Sequence, residues 1–189
     1  MTCKMENDIA EVLISEAQIS DIVKRISAQI SEDYSESEHL VLLCVLKGSA
    51  PFFGDLVKHL SVPCEFEFMR VSSYGSGSVS TGELKIILDM NRDDIAECDV
   101  IIIEDIIDSG NTLYKLKQYI LDKGAKSVKI CTLLDKPDRR APHIKGVLET
   151  DYTGAVIPDE FVVGYGLDYN EKYRNLPYVG VLKREVYEK

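Results

Sequence analysis

The sequence lacks an apolar run long enough to cross a bilayer, for which about 20 residues are needed. Its longest uninterrupted apolar run is residues 40–46, a length that suits a buried strand. The first residues mix charged and apolar side chains without the apolar core of a signal peptide, and no Asn-x-Ser/Thr sequon occurs. We therefore expect a protein that neither enters a membrane nor is exported.

Histidine is scarce, and cysteine forms no metal-binding pattern. The chain has three histidines and five cysteines, with no CxxC pair and no histidines at ligand spacing, which argues against a zinc site. Cys44 and Cys131 lie inside apolar, strand-like runs and are expected to be small buried thiols. An odd number of unpaired cysteines fits a reducing compartment, so the predicted location is cytoplasmic.

Positive charge is also in short supply. The chain has 32 acidic and 22 basic residues, a formal net charge of −10, and no basic stripe. This balance argues against non-specific binding to nucleic acid or to an anionic membrane. At first sight it also argues against an anionic substrate.

The 189 residues predict one domain, 1–189, without repeats or a low-complexity linker. A capping box at Ser15 and Gln18 predicts the start of a helix that frays into a solvated loop over 31–38. Further helices are predicted over 51–60 and 112–123, and strands over 40–46, 64–69, 83–88, 100–103, 127–134, 161–163 and 178–182. Continuous apolar strands alternating with amphipathic helices indicate an α/β fold with a central, mostly parallel twisted sheet flanked by helices.

The most informative stretch is 100–112, an apolar strand followed by polar residues and then a helix. Glu104 and Asp105 come at the predicted strand end, where paired carboxylates suit ribose hydroxyls or a hydrated Mg²⁺. The turn 108–112 contains Gly110, which permits a tight turn, and it leads into a helix N-terminus, where free N–H groups bind phosphate. A simple helix cap beside a solvated acidic pair is the alternative, but the whole pattern favours a functional site.

This pattern matches the signature of the type I phosphoribosyltransferases, and the sequence resembles their hypoxanthine-guanine branch over nearly its full length. The segments that carry the resemblance are 46–49, 72–74, 104–110, 135–136, 161–171 and 173–177. The resemblance implies the family's fold, with a small hood formed by the N-terminal segment and about 155–189, and a mobile hairpin lid over 72–82. It also implies that the phosphoribosyl group of 5-phosphoribosyl 1-diphosphate is transferred to N9 of hypoxanthine or guanine.

The resemblance assigns residues to the phosphoribosyl donor. It makes Asp108 the group that handles a proton at the purine N7, and a carboxylate in a closing pocket suits that acid/base work. The assigned phosphate and ribose contacts are Glu104, Asp105, Asp108, Ser109, Gly110, Asn111 and Thr112. The assigned pyrophosphate contacts are Lys47, Gly48 and Arg174. The Lys47–Gly48 peptide is expected to be a non-proline cis bond.

The resemblance also assigns the purine site and the cofactor. Lys136 is expected to donate to the purine O6, Phe161 to stack on the ring, and the backbone of Val162 to meet the Watson–Crick edge. Asp168 is expected to hold a second Mg²⁺ with pyrophosphate and to accept from a guanine amine through its backbone carbonyl. Mg²⁺ is the implied cofactor, and its implied ligands are Glu104, Asp105 and Asp168.

The lid is expected to close over the reaction centre through Ser72, Ser73 and Tyr74. The chain is expected to form a homodimer or homotetramer. Without the resemblance, Lys136 could equally be an ordinary surface lysine, and Phe161 an ordinary core residue. Two other functions stay open at this point. One is a non-catalytic regulator that senses nucleotides, and the other is a salvage enzyme for adenine or uracil.

Overall fold

The computed structural model describes residues 5–73 and 84–188. Its strands, in chain order, are β1 (Ile9–Ile14), β2 (Leu40–Val45), β3 (Glu65–Ser73), β4 (Leu84–Leu88), β5 (Asp99–Ile107), β6 (Ser127–Asp135), β7 (Tyr152–Val156), β8 (Val162–Val163) and β9 (Val179–Leu182). Its α-helices are α1 (Glu16–Asp33), α2 (Ala50–His59), α3 (Asn111–Asp122) and α4 (Arg184–Tyr187).

Six strands form the main sheet, in the order β4-β3-β2-β5-β6-β7. All neighbours pair in parallel except β3 and β4, which form an antiparallel hairpin. The predicted α/β fold with a mostly parallel central sheet is therefore confirmed. The parallel pairing brings the carboxyl ends of β2 and β5 side by side, with Cys44 opposite Ile103.

The sheet is covered on both faces, which explains why its central strands are apolar throughout. Every residue of β2 is buried. Alternate residues point to opposite faces of a strand, so Leu42 packs in the cluster of α1 and α2 while Leu43 packs in the cluster of α3. Helix α1 begins at the predicted capping box, where Gln18 N donates to Ser15 Oγ and Ser15 N donates to Gln18 Oε1.

A second, three-stranded sheet has the order β1-β9-β8. It is antiparallel and joins the N-terminal segment to the C-terminal one. The predicted hood consists of these two segments.

Several expectations about local structure were wrong. Strands β1 and β7 were not predicted, and helix α1 continues to Asp33, into the segment expected to be a loop. Glu104 and Asp105 lie inside β5, which continues to Ile107, and not at its end. Pairing of Ile106 with Leu134 and of Ile107 with Asp135 on β6 extends the strand past the acidic pair.

None of the described helices is long and apolar enough to span a membrane. Cys44, Cys64, Cys98 and Cys131 are free thiols. Burial raises the pKa of the Cys44 thiol to about 11. The prediction of small buried thiols at Cys44 and Cys131 is confirmed.

Candidate active site

A cavity of about 430 Å³ opens at the carboxyl ends of β2 and β5. This is the edge at which parallel α/β sheets bind their ligands. Its lining residues are Val45, Leu46, Lys47, Gly48, Val71, Ser72, Glu104, Asp105, Ile106, Ile107, Asp108, Ser109, Gly110, Thr112, Leu113, Asp168 and Arg174. The cavity thus brings together most of the residues assigned to the phosphoribosyl donor, from segments far apart in the chain.

The turn between β5 and α3 forms one wall of the cavity. Gly110 caps α3 with a left-handed backbone, at φ +81°, and a Cβ there would lie 2.9 Å from Ile144 Cγ2. Glycine is therefore required by both the backbone and the space. Ser109 and Thr112 line the cavity beside the helix N-terminus, whereas Asn111 is not among the lining residues. The N–H groups of a first helical turn have no partner within the helix, so this wall suits a phosphate.

Two carboxylates form the base of the cavity. Glu104 Oε2 is buried and has no hydrogen-bond partner among the described residues. Burial, and then the neighbouring Asp105 charge, raises the pKa of Glu104 well above its usual value. Burial likewise raises the pKa of Asp105 to about 6, against the opposing effect of the Ile106 N–H that it accepts at 2.7 Å. A buried acceptor without a partner is costly, so a ligand that donates to Glu104 or coordinates it is favoured here.

The two carboxylates suit Mg²⁺, which keeps water and substrate phosphates as ligands, better than they suit a metal that is bound by protein side chains alone. No group of three or more His, Cys, Asp or Glu side chains that could hold a metal occurs within residues 5–73 and 84–188. Mg²⁺ is commonly held by one or two carboxylates together with water and substrate phosphates. Glu104, with its unpartnered oxygen, and Asp105 provide such a carboxylate pair.

Arg174 forms the positively charged side of the cavity. Its Nη2 lies 2.7 Å from Asp168 Oδ1, and its Nη1 donates to the Gly166 carbonyl at 2.7 Å. Its Nε is buried without a partner in the part of the chain that the structure describes. Lys47 pairs with Glu171, with 2.9 Å between Nζ and Oε2. Two cations therefore line the same cavity as the carboxylate pair, although the chain as a whole is acidic.

The segment after β2 is packed closely against two other segments. A Cβ on Gly48 would lie 1.6 Å from Asp105 Oδ2, and a Cβ on Gly166 would lie 1.9 Å from the Gly48 carbonyl oxygen. The cis peptide is Leu46–Lys47. The expectation of a cis bond at Lys47–Gly48 was therefore wrong by one residue.

Asp108 lies at the mouth of the cavity, and its side chain is 47% exposed. Its Oδ1 accepts from Arg139 Nε at 3.2 Å, and its backbone carbonyl accepts from Arg140 Nη1 at 2.6 Å. Arg140 also donates to Asp135 Oδ1 at 2.5 Å. Arg139 and Arg140 were missed as site residues. Both arginines belong to the charged run 135–140, which begins at the last residue of β6. This run is the reason why Lys136, taken alone, could also be a surface lysine.

Of the residues assigned to the purine, Asp168 lines the main cavity, whereas Lys136, Phe161 and Val162 do not. Lys136 is buried, its Nζ donates to the Glu160 carbonyl at 2.6 Å, and burial lowers its pKa. The ring of Phe161 stacks on Tyr187, with centroids 4.7 Å apart and planes at 21°, and meets Tyr169 edge to face. Phe161 is 38% exposed, which leaves room for a further aromatic contact. Val162 is buried in β8.

Of the predicted lid, Ser72 lines the cavity at the end of β3. The backbone of Ser73 pairs with Leu84 in the predicted hairpin. Tyr74 and the rest of the segment to 83 lie outside the described residues.

Comparisons with known proteins agree with this geometry. Residues 13–170 match the family model described as the phosphoribosyl transferase domain. The hypoxanthine-guanine phosphoribosyltransferase of Bacillus subtilis is 51% identical over 184 residues, which is 97% of this chain and 99% of that protein. The bifunctional protein TilS/HprT of Listeria innocua is 51% identical over 183 residues, and the chain spans only 27% of its length.

The fold is shared with solved structures as well. A crystal structure of a hypoxanthine phosphoribosyltransferase from Staphylococcus aureus is similar with a TM-score of 0.92 and 48% identity, and the match covers 100% of both chains.

Proposed function

The chain belongs to the phosphoribosyl transferase family, in the branch of the hypoxanthine-guanine enzymes, and from this premise we propose that it is a purine salvage enzyme. In the proposed reaction, N9 of hypoxanthine or guanine displaces pyrophosphate from C1 of 5-phosphoribosyl 1-diphosphate, which gives IMP or GMP. One observation carries the proposal. A single cavity joins a glycine-capped helix N-terminus, a buried carboxylate pair and Arg174.

The phosphoribosyl donor is held by its charges and its hydroxyl groups. The turn with Ser109, Gly110 and Thr112 binds the 5-phosphate through backbone N–H groups and hydroxyls, and Asn111 contributes through its backbone. Glu104 and Asp105 accept hydrogen bonds from the ribose hydroxyls. Their lining of the same cavity supports this assignment.

Asp108 acts as general acid and base at the purine N7. Its exposed carboxylate stands at the mouth of the cavity and can reach a base bound outside it. The Arg140 guanidinium, which donates to the Asp108 carbonyl, positions this residue from behind. A group at that place moves the proton while the bond to pyrophosphate breaks.

The pyrophosphate leaves between the cations of Lys47 and Arg174, beside the backbone of Gly48. The Arg174 guanidinium has fixed donors that match paired phosphate oxygens. Mg²⁺ held by Glu104 and Asp105, with a second ion near Asp168, would neutralise charge on the leaving group. Such ions would explain how an acidic protein binds an anionic donor.

The purine binds next to this cavity. Lys136 donates to O6, Phe161 stacks on the ring, and Val162 meets the Watson–Crick edge through its backbone. Val162 lies in the small sheet, Phe161 directly precedes it, and Lys136 donates to the carbonyl of nearby Glu160. We infer that this sheet is the hood over the base. Ser72, the residue of the predicted lid that lines the cavity, stands where water must be kept from an oxocarbenium-like transition state.

We infer a cytoplasmic location from the free thiols, and a homodimer or homotetramer as the assembly. Phe66 and Phe68 on β3 remain 49% and 40% exposed in the isolated chain, which is consistent with a surface covered in an oligomer. Light scattering coupled to size-exclusion chromatography measures the assembly directly.

The test of function is the release of pyrophosphate from the purified chain with Mg²⁺ and 5-phosphoribosyl 1-diphosphate, with hypoxanthine, guanine, xanthine, adenine and uracil in parallel. We expect turnover with hypoxanthine or guanine and its loss when EDTA removes the metal. Release of pyrophosphate only with adenine or uracil would assign the chain to another base. No release with any base would refute an enzymatic function.

A further inference from the structure

One carboxylate oxygen contacts both cations that we assign to pyrophosphate. Glu171 Oε2 lies 2.9 Å from Lys47 Nζ and 3.5 Å from Arg174 Nη2. The Lys47 ammonium, and to a smaller extent Arg174, holds the pKa of the Glu171 carboxyl below its usual value. Its side chain is 65% exposed, and an exposed carboxylate is ionised at neutral pH, so Glu171 places a negative charge where that of a pyrophosphate is expected.

An anionic ligand can replace Glu171 in its ion pairs with Lys47 and Arg174. The side chains of Glu171 and Lys47 are 65% and 49% exposed, so water screens their attraction. Arg174 does not depend on Glu171 for its position, because Asp168 and the Gly166 carbonyl also hold it. A pyrophosphate carries more charge than one carboxylate and offers more oxygens, so it competes effectively for the same two cations.

The Glu171 carboxylate can be replaced without changing the contacts of the Glu171 backbone. Its N–H donates to Asp168 Oδ2 at 2.8 Å and its backbone is left-handed, at φ +62°. Neither feature involves the carboxylate. A change of the side chain alone therefore leaves the turn anchored to Asp168.

We propose that the Glu171 carboxylate is an internal competitor of pyrophosphate. It neutralises Lys47 and Arg174 while no phosphate is bound, and it withdraws when the diphosphate of the donor or the product pyrophosphate enters. This inference rests on the proposed function, from which it takes the role of the two cations. Its consequence is that Glu171 weakens the binding of diphosphate groups and leaves purine binding unaffected.

The test compares Glu171→Gln, which removes the charge at almost constant size, with wild-type protein. Isothermal titration calorimetry with inorganic pyrophosphate and Mg²⁺ is expected to show binding tightened by about two- to fivefold, the range of an exposed ion pair. The KM for 5-phosphoribosyl 1-diphosphate should fall by a similar factor, and the KM for hypoxanthine should not change. Glu185→Gln, the same charge change on the exposed face of α4, should leave all three values as they are.

Two more variants keep the test decisive if Glu171→Gln is poorly folded. Glu171→Ala should tighten pyrophosphate binding as well, and Glu171→Asp, which keeps the charge on a shorter side chain, should tighten it less. Unchanged or weaker pyrophosphate binding in a folded, uncharged variant overturns the inference, and so does a failure of both uncharged variants to fold. If wild-type protein turns over hypoxanthine but these variants do not bind pyrophosphate more tightly, only the inference fails. A wild-type protein without turnover and without pyrophosphate binding refutes the proposed function together with the inference.

Discussion

The carboxylate of Asp105 lies directly against the backbone of Gly48, so closely that a Cβ on Gly48 would fall 1.6 Å from Asp105 Oδ2. Gly48 comes after β2, and Asp105 lies near the carboxyl end of β5, the neighbouring parallel strand. Any side chain at position 48 must therefore displace a carboxylate that we assign to ribose and Mg²⁺. Gly48 is required here by close approach to a functional group, and its φ is not in the left-handed region.

Gly48→Ala is predicted to lower kcat/KM for the donor by about 10- to 100-fold, because a shift of about 1 Å in a reacting group costs that much. Steady-state kinetics with variable 5-phosphoribosyl 1-diphosphate measures the effect. Gly54→Ala is the matched control, since a Cβ at Gly54 in α2 meets nothing within 4 Å. That control should keep full activity and gain roughly 0.5–1 kcal/mol in the free energy of unfolding, as glycine in a helix is unfavourable. Equal activity of the two variants would show that Asp105 can move without consequence.

Asp108→Asn is predicted to reduce kcat by about 10²- to 10⁴-fold, the usual contribution of a general acid or base. Binding of IMP, followed by calorimetry, should be retained because the amide keeps the size of the side chain. Asp159→Asn is the control, since Asp159 Oδ1 also lies near Arg139 Nε, at 3.7 Å, and has no assigned role in the reaction. Full activity of Asp108→Asn would remove Asp108 from the proton transfer.

Arg174→Ala is predicted to weaken the binding of pyrophosphate and donor more than that of hypoxanthine. The substitution removes the fixed guanidinium donors, and charge-assisted hydrogen bonds contribute about 1.5–3 kcal/mol each. Separate KM values for donor and purine provide the measurement. Equal losses for both substrates would indicate that Arg174 acts mainly by holding Gly166 and Asp168, both of which it contacts.

The environment of Asp99, at the start of β5, determines how its carboxyl group makes the free energy of unfolding depend on pH. Burial acts to raise the pKa of this carboxyl, but hydrogen bonds from Ser127, Lys126 and Ser37 outweigh it and leave the pKa lowered. A carboxyl with a lowered pKa in the folded state stabilises the fold above its unfolded-state pKa of about 3.9, and this stabilisation is lost as the pH falls through the folded-state value.

Urea unfolding of Asp99→Asn should therefore show a free energy of unfolding that is about 1–3 kcal/mol below wild type at pH 7, the cost of disrupting a buried charged hydrogen-bond group. The difference between the two proteins should shrink below about pH 4, where the wild-type carboxyl becomes protonated. The exposed Asp93→Asn serves as control and should match wild type at both pH values. A difference that is independent of pH would mean that shape, and not charge, makes Asp99 stabilising.

The sequence alone identified the elements whose signals are local. The stretch 100–112 is contiguous, so its strand, acidic pair, glycine turn and helix could be recognised together, and the structure has Gly110 at the start of α3 with φ +81°. The continuous apolar runs of β2 and β5 predicted a sheet covered on both faces. Strand β1 was missed because its exposed and half-buried residues show no regular alternation, and because its partner among the described strands, β9, lies at the far end of the chain.

The tertiary structure decided every relationship between segments. No spacing in the sequence indicates that Gly48 touches Asp105. Nor does it indicate that one oxygen of Glu171 contacts both Lys47 and Arg174. The hydrogen bond from Arg140 to the Asp108 carbonyl is equally invisible in the sequence. The same holds for Phe161, whose aromatic partners are Tyr169 and Tyr187. Hydrophobic periodicity and turn residues report how a segment folds on its own neighbours, whereas contacts across the cavity depend on strand order and on loops whose course only packing fixes. The sequence therefore determined which chemistry is present, and the fold determined which charges meet around the cavity.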